Sequence, residues 1–517
     1  MDVMGPASDA EHSAHAERKE VDLLVTFDPE TSPVCSYSLS LARKWLIVII
    51  ICTATVCVTC TSSIYTTTYA QMDAEFNTSR LLSTIGLSVF VLGISMGPLL
   101  TSPLSEWFGR KPIYLVAWSL FIVWNIPPAV ARNIQTIIIA RFFTGFTGGT
   151  FLAVAGGTVR DLFSDHSIQK PMALVSAAPF IGPCFGPLIG GFINFNTHWR
   201  WTYYFVIIWS VVLLVLISVF TPETYHPAKL QSAAKKLRKR TGNNRYQAAV
   251  NHGNQSKGRM LLISLLRPFQ LLFLEPMCLC LSLYSALLLG ILYLFFGAFP
   301  LVFQTQYDMN LWQIGLTFLG IIIGMIAAAL STPVWIKVRQ HLLNKSKEGA
   351  GVRCPEYRLP PAILGGFLTP IGLFWFGWTT RPDIHWIVPI LGSGVFGLGN
   401  LLTFMGIFTF LVSQYVGVTT CSSWISKQGQ SQLTQIIPKQ VDAYPQYAAS
   451  ALAANGFARS SFAAAFPLFG IQLYQGLGYQ WATSLLAFLT VAMMPFPCIF
   501  FIYGKAIRGK SRFATAS

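Results

Sequence analysis

Apolar residues in this chain come in long blocks, without the three-and-four spacing of a water-soluble amphipathic helix or the alternation of a half-buried strand. Twelve blocks stand out: 45–68, 81–101, 113–131, 136–158, 171–193, 201–220, 277–303, 312–335, 360–379, 384–412, 447–474 and 481–503. Each is about the 20 residues a helix needs to cross a bilayer's hydrocarbon core. No water is available there to satisfy N–H and C=O groups, so blocks of this length cross as helices. The pattern predicts an all-α membrane protein with twelve transmembrane helices.

Composition agrees. Charged residues are 11% of the 517 and hydrophobic ones 53%, whereas a soluble domain carries about 25% charged residues. A net charge of +16 would suit a nucleic-acid binder, but the basic residues sit in loops between apolar blocks. That placement marks cytosolic loops, so the expected partner is membrane lipid and not nucleic acid. One side holds Arg110, Lys111, Arg160 and Lys170, then Lys235, Lys236, Arg238, Lys239, Arg240 and Arg245. Lys337, Arg339, Lys345, Lys347, Arg353 and Arg358 follow, and then Lys505, Arg508, Lys510 and Arg512. The other side holds Arg80, Arg132, Arg200 and Arg381. Both termini are therefore expected in the cytosol.

Residues 1–44 carry eight acidic and four basic side chains and no apolar core for a cleavable signal; they read as a disordered cytosolic arm. A long loop, 221–275, divides the helices into halves at 45–220 and 276–503, with a cytosolic tail at 504–517. Six plus six suggests a parallel repeat with a site at the midplane between the halves. The internal similarity is faint: 102–111 and 332–340 share little beyond Pro103 with Pro333 and a basic end. Cys57 and Cys60 form a CxxC inside the first block with no second pair, which reads as small apolar packing. Asn77-Thr78-Ser79 falls in the first outer loop and is a candidate for glycosylation, whereas the matches at Asn254 and Asn344 lie inside. No phosphate-cradling GxxxxGK[ST], metal-ligand cluster or nucleophile triad occurs. The expectation is no cofactor and no enzymatic activity.

Three segments carry candidate function. Ser102 to Lys111 closes the second block: Gly109 allows a tight turn, Glu106 places a carboxylate near a helix end, and Arg110 and Lys111 add cations. It reads either as a basic anchor or as a charge-relay latch between helix ends. Arg141 lies inside the fourth block, where an arginine is costly and functional by default. It is also near enough to the outer end to snorkel, and both readings stand. In the fifth block, Gly182, Gly186, Gly190 and Gly191 let helix backbones approach closely, and Pro187 removes a backbone hydrogen bond.

These segments resemble signatures of the major facilitator superfamily. The loop at 102–111 is similar to its G-x-x-x-D-R-x-G-R-R, with Ser102 for the first Gly, Glu106 for the Asp and Trp107 for the first Arg. The R-x-x-x-G of Arg141 and Gly145 resembles its fourth-helix motif, which implies proton coupling at Arg141. Gly182 to Gly191 resembles the G-x-x-x-G-P-x-x-G-G of proton-driven antiporters, a bend that seals against proton leak. Trp199-Arg200-Trp201, Pro222-Glu223-Thr224-Tyr225 and Ala453 to Ser460 also look like fungal twelve-span drug:proton antiporters, in the branch of polyamine, cycloheximide and toxin exporters. The likeness covers about residues 40–505.

The resemblance implies a cavity lined by helices 1, 4, 7 and 10, to which Tyr65, Tyr69, Tyr293, Phe296, Phe299, Phe303, Gln304 and Asn400 are assigned. No Asp or Glu lies in the middle of any block. A polycation crossing a low-dielectric cavity would need a buried counter-charge, so neutral or weakly anionic amphiphiles rank above polyamines. Arg141 with Asp161, several turns away, is a candidate proton relay. The function expected is proton-coupled export of hydrophobic small molecules (drugs, fungal toxins or other secondary metabolites) by a monomer in the cell membrane, with the vacuolar membrane as alternative. A proton-linked importer, a polyamine exporter and a membrane sensor are the rivals.

One segment departs from that pattern. Val416 to Gln440 inserts 25 residues with five Gln before Asp442-Ala443-Tyr444. It reads either as a tolerated loop insertion or as a retained intron. Val416-Gly417 can be encoded GTAGGT, Leu433-Thr434 can contain CTAAC, and Gln440 can be CAG.

Overall fold

The computed structural model describes residues 23–25, 39–163, 167–242, 246–248, 257–345, 355–415 and 445–508. Every predicted block is helical. Spans 1 to 6 are Leu41–Phe76, Arg80–Phe108, Arg110–Ala129, Ile134–Leu162, Gln169–Asn196 and Arg200–Phe220. Spans 7 to 10 are Pro276–Tyr307, Leu311–Lys345, Pro360–Thr379 and Ile387–Tyr415. The last stretch, Ser450–Gly504, is 55 residues long, about 80 Å at ~1.5 Å per residue and so more than twice a hydrocarbon core. It holds two crossings. The break is Gly478, at φ 77° and ψ 162°, which separates span 11 (445–477) from span 12 (479–508). Both chain ends therefore leave the bundle on one face, the basal face; the opposite face is apical.

Contacts between spans repeat with an offset of six. Span 1 packs on 5 as 7 packs on 11, 2 on 4 as 8 on 10, 3 on 4 as 9 on 10, and 3 on 6 as 9 on 12. Across the halves, span 2 meets 11 and span 5 meets 8, which is one contact seen twice through a two-fold axis along the membrane normal. The glycine seams repeat too. A Cβ on Gly97 would run into the Phe146 carbonyl of span 4, and one on Gly324 into the Gly394 carbonyl of span 10. The duplication too faint to read in the sequence is thus plain in the packing.

Most of spans 1 and 7 is buried, while span 6 turns Ile208, Val212, Val215 and Val219 outward and span 12 turns out Trp481, Leu485 and Phe488. Outward apolar side chains are what a lipid-facing ring requires. Two helices, His226–Thr241 and Lys257–Leu274, lie in the long loop. Within the arm expected to be disordered, Leu23–Val25 forms a short strand, parallel to Tyr246–Ala248.

Buried apolar residues divide in a way that sets the shape. One cluster unites the second half with Tyr65, Tyr69, Ile137, Phe180 and Cys184 of the first. Another, holding Ile51, Val58, Tyr114, Trp118 and Val159, belongs to the first half alone. The links between halves are central or apical: Ser62 Oγ to Tyr293 Oη at 2.9 Å, Ser88 Oγ to the Ala464 carbonyl at 2.6 Å, and Phe192 against Trp312. Nearer the basal face, Gly156 of span 4 and Gly456 of span 11 both look into open space. The halves meet at the midplane and above it and part toward the basal face, apart from the contact that Lys257–Leu274 makes with span 2.

Candidate functional site

At the basal face, Gly109 turns the chain from span 2 into span 3 with φ +95°, a conformation that favours glycine. The first turn of span 3 leaves N–H groups unpaired, and Glu223 takes them: its carboxylate accepts from Arg110 N at 2.9 Å and Lys111 N at 3.1 Å. The same carboxylate accepts from Thr224 N and Tyr225 N. A Cβ on Gly109 would collide with Glu223. Arg110 reaches Asp161 at the end of span 4 (Nε to Oδ2, 3.3 Å), donates to Ser105 Oγ at 2.6 Å and lies over the Tyr225 ring. Lys111 Nζ donates to the Ser218 carbonyl. The latch therefore joins spans 2, 3, 4 and 6. Arg110 pairs with Asp161 and not with Glu106, which is exposed. Glu223, which sequence reasoning quoted only as part of a resemblance, is its centre.

Arg141 does not snorkel. It is 2% exposed and donates to three carbonyls: Nε to Gly86 at 2.9 Å, Nη1 to Thr61 at 3.1 Å and Nη2 to Ser62 at 2.9 Å. Its guanidinium is sandwiched between the rings of Tyr65 (4.1 Å) and Phe90 (4.4 Å). The Thr61 and Ser62 carbonyls stand just before the 3-10 turn Tyr65–Thr68, where span 1 tightens; a tightened stretch inside a helix often marks a hinge. Tyr69 packs edge-on against Tyr65. Asp161 is twenty residues along the same helix, about 30 Å away at ~1.5 Å per residue, so the structure does not bring this pair together.

The glycines of span 5 form two seams. Cβ atoms on Gly182, Gly186 and Gly190 would strike Thr59, Ser63 and Thr67 of span 1, and one on Gly191 would meet the Leu311 carbonyl of span 8 at 2.9 Å. Pro187 has no N–H for the carbonyl four residues back. That carbonyl, of Pro183, accepts instead from Ser63 Oγ at 2.6 Å. The carbonyl that Pro187 leaves free in span 5 is thereby tied to span 1.

At the midplane the open cleft ends at a residue absent from the predicted set. Arg459 of span 11 lies over Phe180 (5.0 Å) and Phe404 (5.7 Å), which stack across the two halves with centroids 4.1 Å apart. Its Nε is buried with no hydrogen-bond partner among the described residues. The signal was available, because Arg459 sits in the middle of the eleventh apolar block. Asn400, one turn from Phe404, is fully buried with neither amide atom paired. Tyr293 spans the interface through Ser62. Phe296, Phe299 and Phe303 are packed inside the second half, Phe299 against Phe318 and Phe376, and Gln304 is exposed at the apical end.

On the apical face, Glu75 accepts from Arg200 (2.7 and 3.0 Å) and from Trp199 Nε1 (2.6 Å), while Arg200 also donates to the Ala131 carbonyl. The Trp-Arg-Trp segment thus clamps the ends of spans 1, 3 and 6. Asn77 ends the helix of span 1 in the left-handed region (φ +48°) and is exposed. The insertion 416–440 lies outside the described residues.

Residues 51–426 match the Major Facilitator Superfamily. The chain is 46% identical over 512 residues to the efflux pump atB of Aspergillus terreus, covering 98% of this chain and 94% of that one. It is 37% identical over 478 residues, 92% and 87% of the two chains, to a protein of Saccharomyces cerevisiae described as a probable drug/proton antiporter. The E. coli proton:xylose symporter superposes with a TM-score of 0.59 over 89% of this chain and 96% of that one, at 16% identity, and shows the fold alone. With twelve spans in two six-helix halves, a cleft between them and these relatives, the chain belongs to the Major Facilitator Superfamily, in its fungal drug:proton antiporter family.

Proposed function

We propose that this transporter exports apolar or amphipathic organic molecules from the cytosol in exchange for protons. The observation that carries the reading is the closure of the halves at the midplane by Phe180, Phe404, Tyr293 and Arg459, with Gly156 and Gly456 on the basal side of it facing open space. Basic loops support a cytosolic basal face, so this state would load substrate from inside a monomer in the cell membrane, with Asn77 outside and open to glycosylation. Rocking the halves about the midplane would release substrate on the apical side. Aromatic walls with few polar groups suit apolar ligands.

Arg141 supports coupling differently from a relay with Asp161. Its charge is held by carbonyls of spans 1 and 2 and by two ring faces, so it fastens span 4 to spans 1 and 2 in this state. A shift of span 1 at its 3-10 turn would have to break those bonds. Arg110 with Asp161 and Glu223 does the same at the basal ends, and the bend at Pro187 closes the path against leak.

The reading is tested by accumulation of a fluorescent neutral amphiphile in pump-deficient yeast expressing the chain. Low accumulation that rises when a protonophore collapses the gradient is the expected result. Equal accumulation in expressing and empty cells would overturn export, and uptake abolished by the protonophore would make the protein an importer.

A further inference from the structure

We infer that Arg459 is the recognition site for an acidic group on the transported molecule, so that the preferred substrates are aromatic acids carried as anions. The inference rests on the export reading above and names the substrate class of the same cleft.

The two arginines inside the membrane define the contrast. Arg141 is sealed and fully engaged, with three carbonyls in the plane of its guanidinium and a ring on either side. Arg459 carries the same five donors, yet among the described residues no hydrogen bond or ion pair reaches it; the faces of Phe180 and Phe404 lie against it, with Tyr293 nearby. It is half-buried beside the midplane stack of Phe180 and Phe404. A cation so placed requires an anion or a set of acceptors.

Among the described residues the spans supply no such anion. Glu106, Asp161 and Glu275 lie at basal ends and Asp308 and Asp383 at apical ones, so no carboxylate of a span reaches mid-membrane. The missing partner therefore comes from the cargo. A guanidinium fork binds a carboxylate through two parallel N–H···O bonds. The stacked pair beneath it receives the apolar body of the ligand. The same positive charge repels polyamines, which removes that rival.

The test is binding of pyrene-1-carboxylate and pyrene-1-carboxamide to the purified full-length protein, followed by pyrene fluorescence, in wild type, Arg459→Gln and Arg459→Lys. Wild type should bind the carboxylate at least tenfold more tightly than the carboxamide. Arg459→Gln should lose that preference with the carboxamide affinity within twofold of wild type, and Arg459→Lys should keep part of it. Equal affinity of wild type for both probes overturns the inference without recourse to any variant. So does a preference that survives in Arg459→Gln. Proteoliposome transport of the same two probes, with and without a pH gradient, is scored separately. A carboxylate preference in binding without gradient-driven transport would keep the role of Arg459 and overturn export.

Discussion

Arg141 and Glu223 show how single side chains hold this bundle by satisfying backbone groups of other helices. Each charge-assisted bond of Arg141 contributes roughly 1.5–3 kcal/mol, and its two ring contacts add about 0.5–2 kcal/mol each. Arg141→Ala is expected to reduce proton-coupled export at least tenfold in yeast while the protein still reaches the membrane. Arg141→Lys should recover only part, because one ammonium cannot serve three carbonyls set around a plane. Full transport by the alanine variant would reduce the residue to packing. Glu223→Gln removes the charged cap of span 3, worth about 1 kcal/mol as a cap and about 0.3–1 kcal/mol against the helix dipole. A lower melting temperature of the purified protein, together with slower transport, is the expected outcome. The sequence placed Arg141 near the end of its span and left snorkelling open, since the carbonyls that receive it belong to residues 55 to 80 positions away. Arg459, in contrast, could have been read from its position alone.

Span 5 is the element whose sequence spoke most clearly, and the structure adds what a one-dimensional pattern omits. Spacing of Gly182, Gly186 and Gly190 indicates a close helix contact, and the partner is span 1, where a Cβ on Gly186 would meet the Ile64 amide nitrogen at 2.5 Å. Backbone cannot yield there, so Gly186→Val should give little monodisperse protein in detergent. The pairing of Pro187 with Ser63 allows a sharper test. Ser63→Ala orphans the Pro183 carbonyl and should cost about 1–3 kcal/mol. Pro187→Ala restores an N–H that can reach the same carbonyl, so the double variant should regain most of the stability lost by Ser63→Ala. It should also straighten the bend, and proteoliposomes carrying it should leak protons without substrate. Additive losses in melting temperature would show that the two residues do not share that carbonyl. Block boundaries, apolar length and glycine spacing were legible because each is local in the chain. Which face meets which helix was not, because that is decided by residues more than a hundred positions apart, as Ser63 and Pro183 are.

The two-fold relation between the halves bears on the segment 416–440 at the scale of the whole molecule. Span 4 joins span 5 on the basal face through residues 163–168, and the corresponding connection, from span 10 to span 11, runs from 416 to 444. Helix-to-helix connections in bundles usually take about 2–8 residues. Removing 416–440 would leave Val441 to Tyr444 between Tyr415 and Pro445, so the ends would be joined by five Cα-to-Cα steps. At about 3.3–3.6 Å per residue that reaches roughly 17 Å, whereas neighbouring helix axes lie about 8–10 Å apart. Phe404 of span 10 meets Arg459 of span 11, so the short connection, two residues shorter than its counterpart, has enough reach. We therefore propose that the protein lacking 416–440 folds and transports at least as well as the full chain, as a retained intron would require. The comparison is made in pump-deficient yeast with both forms expressed to equal levels, alongside sequencing of transcripts across codons 415 to 441. Transcripts that always contain the 75 nucleotides, with export lost on their deletion, would make the segment a working part of the basal face. Spliced transcripts and undiminished export would assign it to the gene and leave the two halves joined alike.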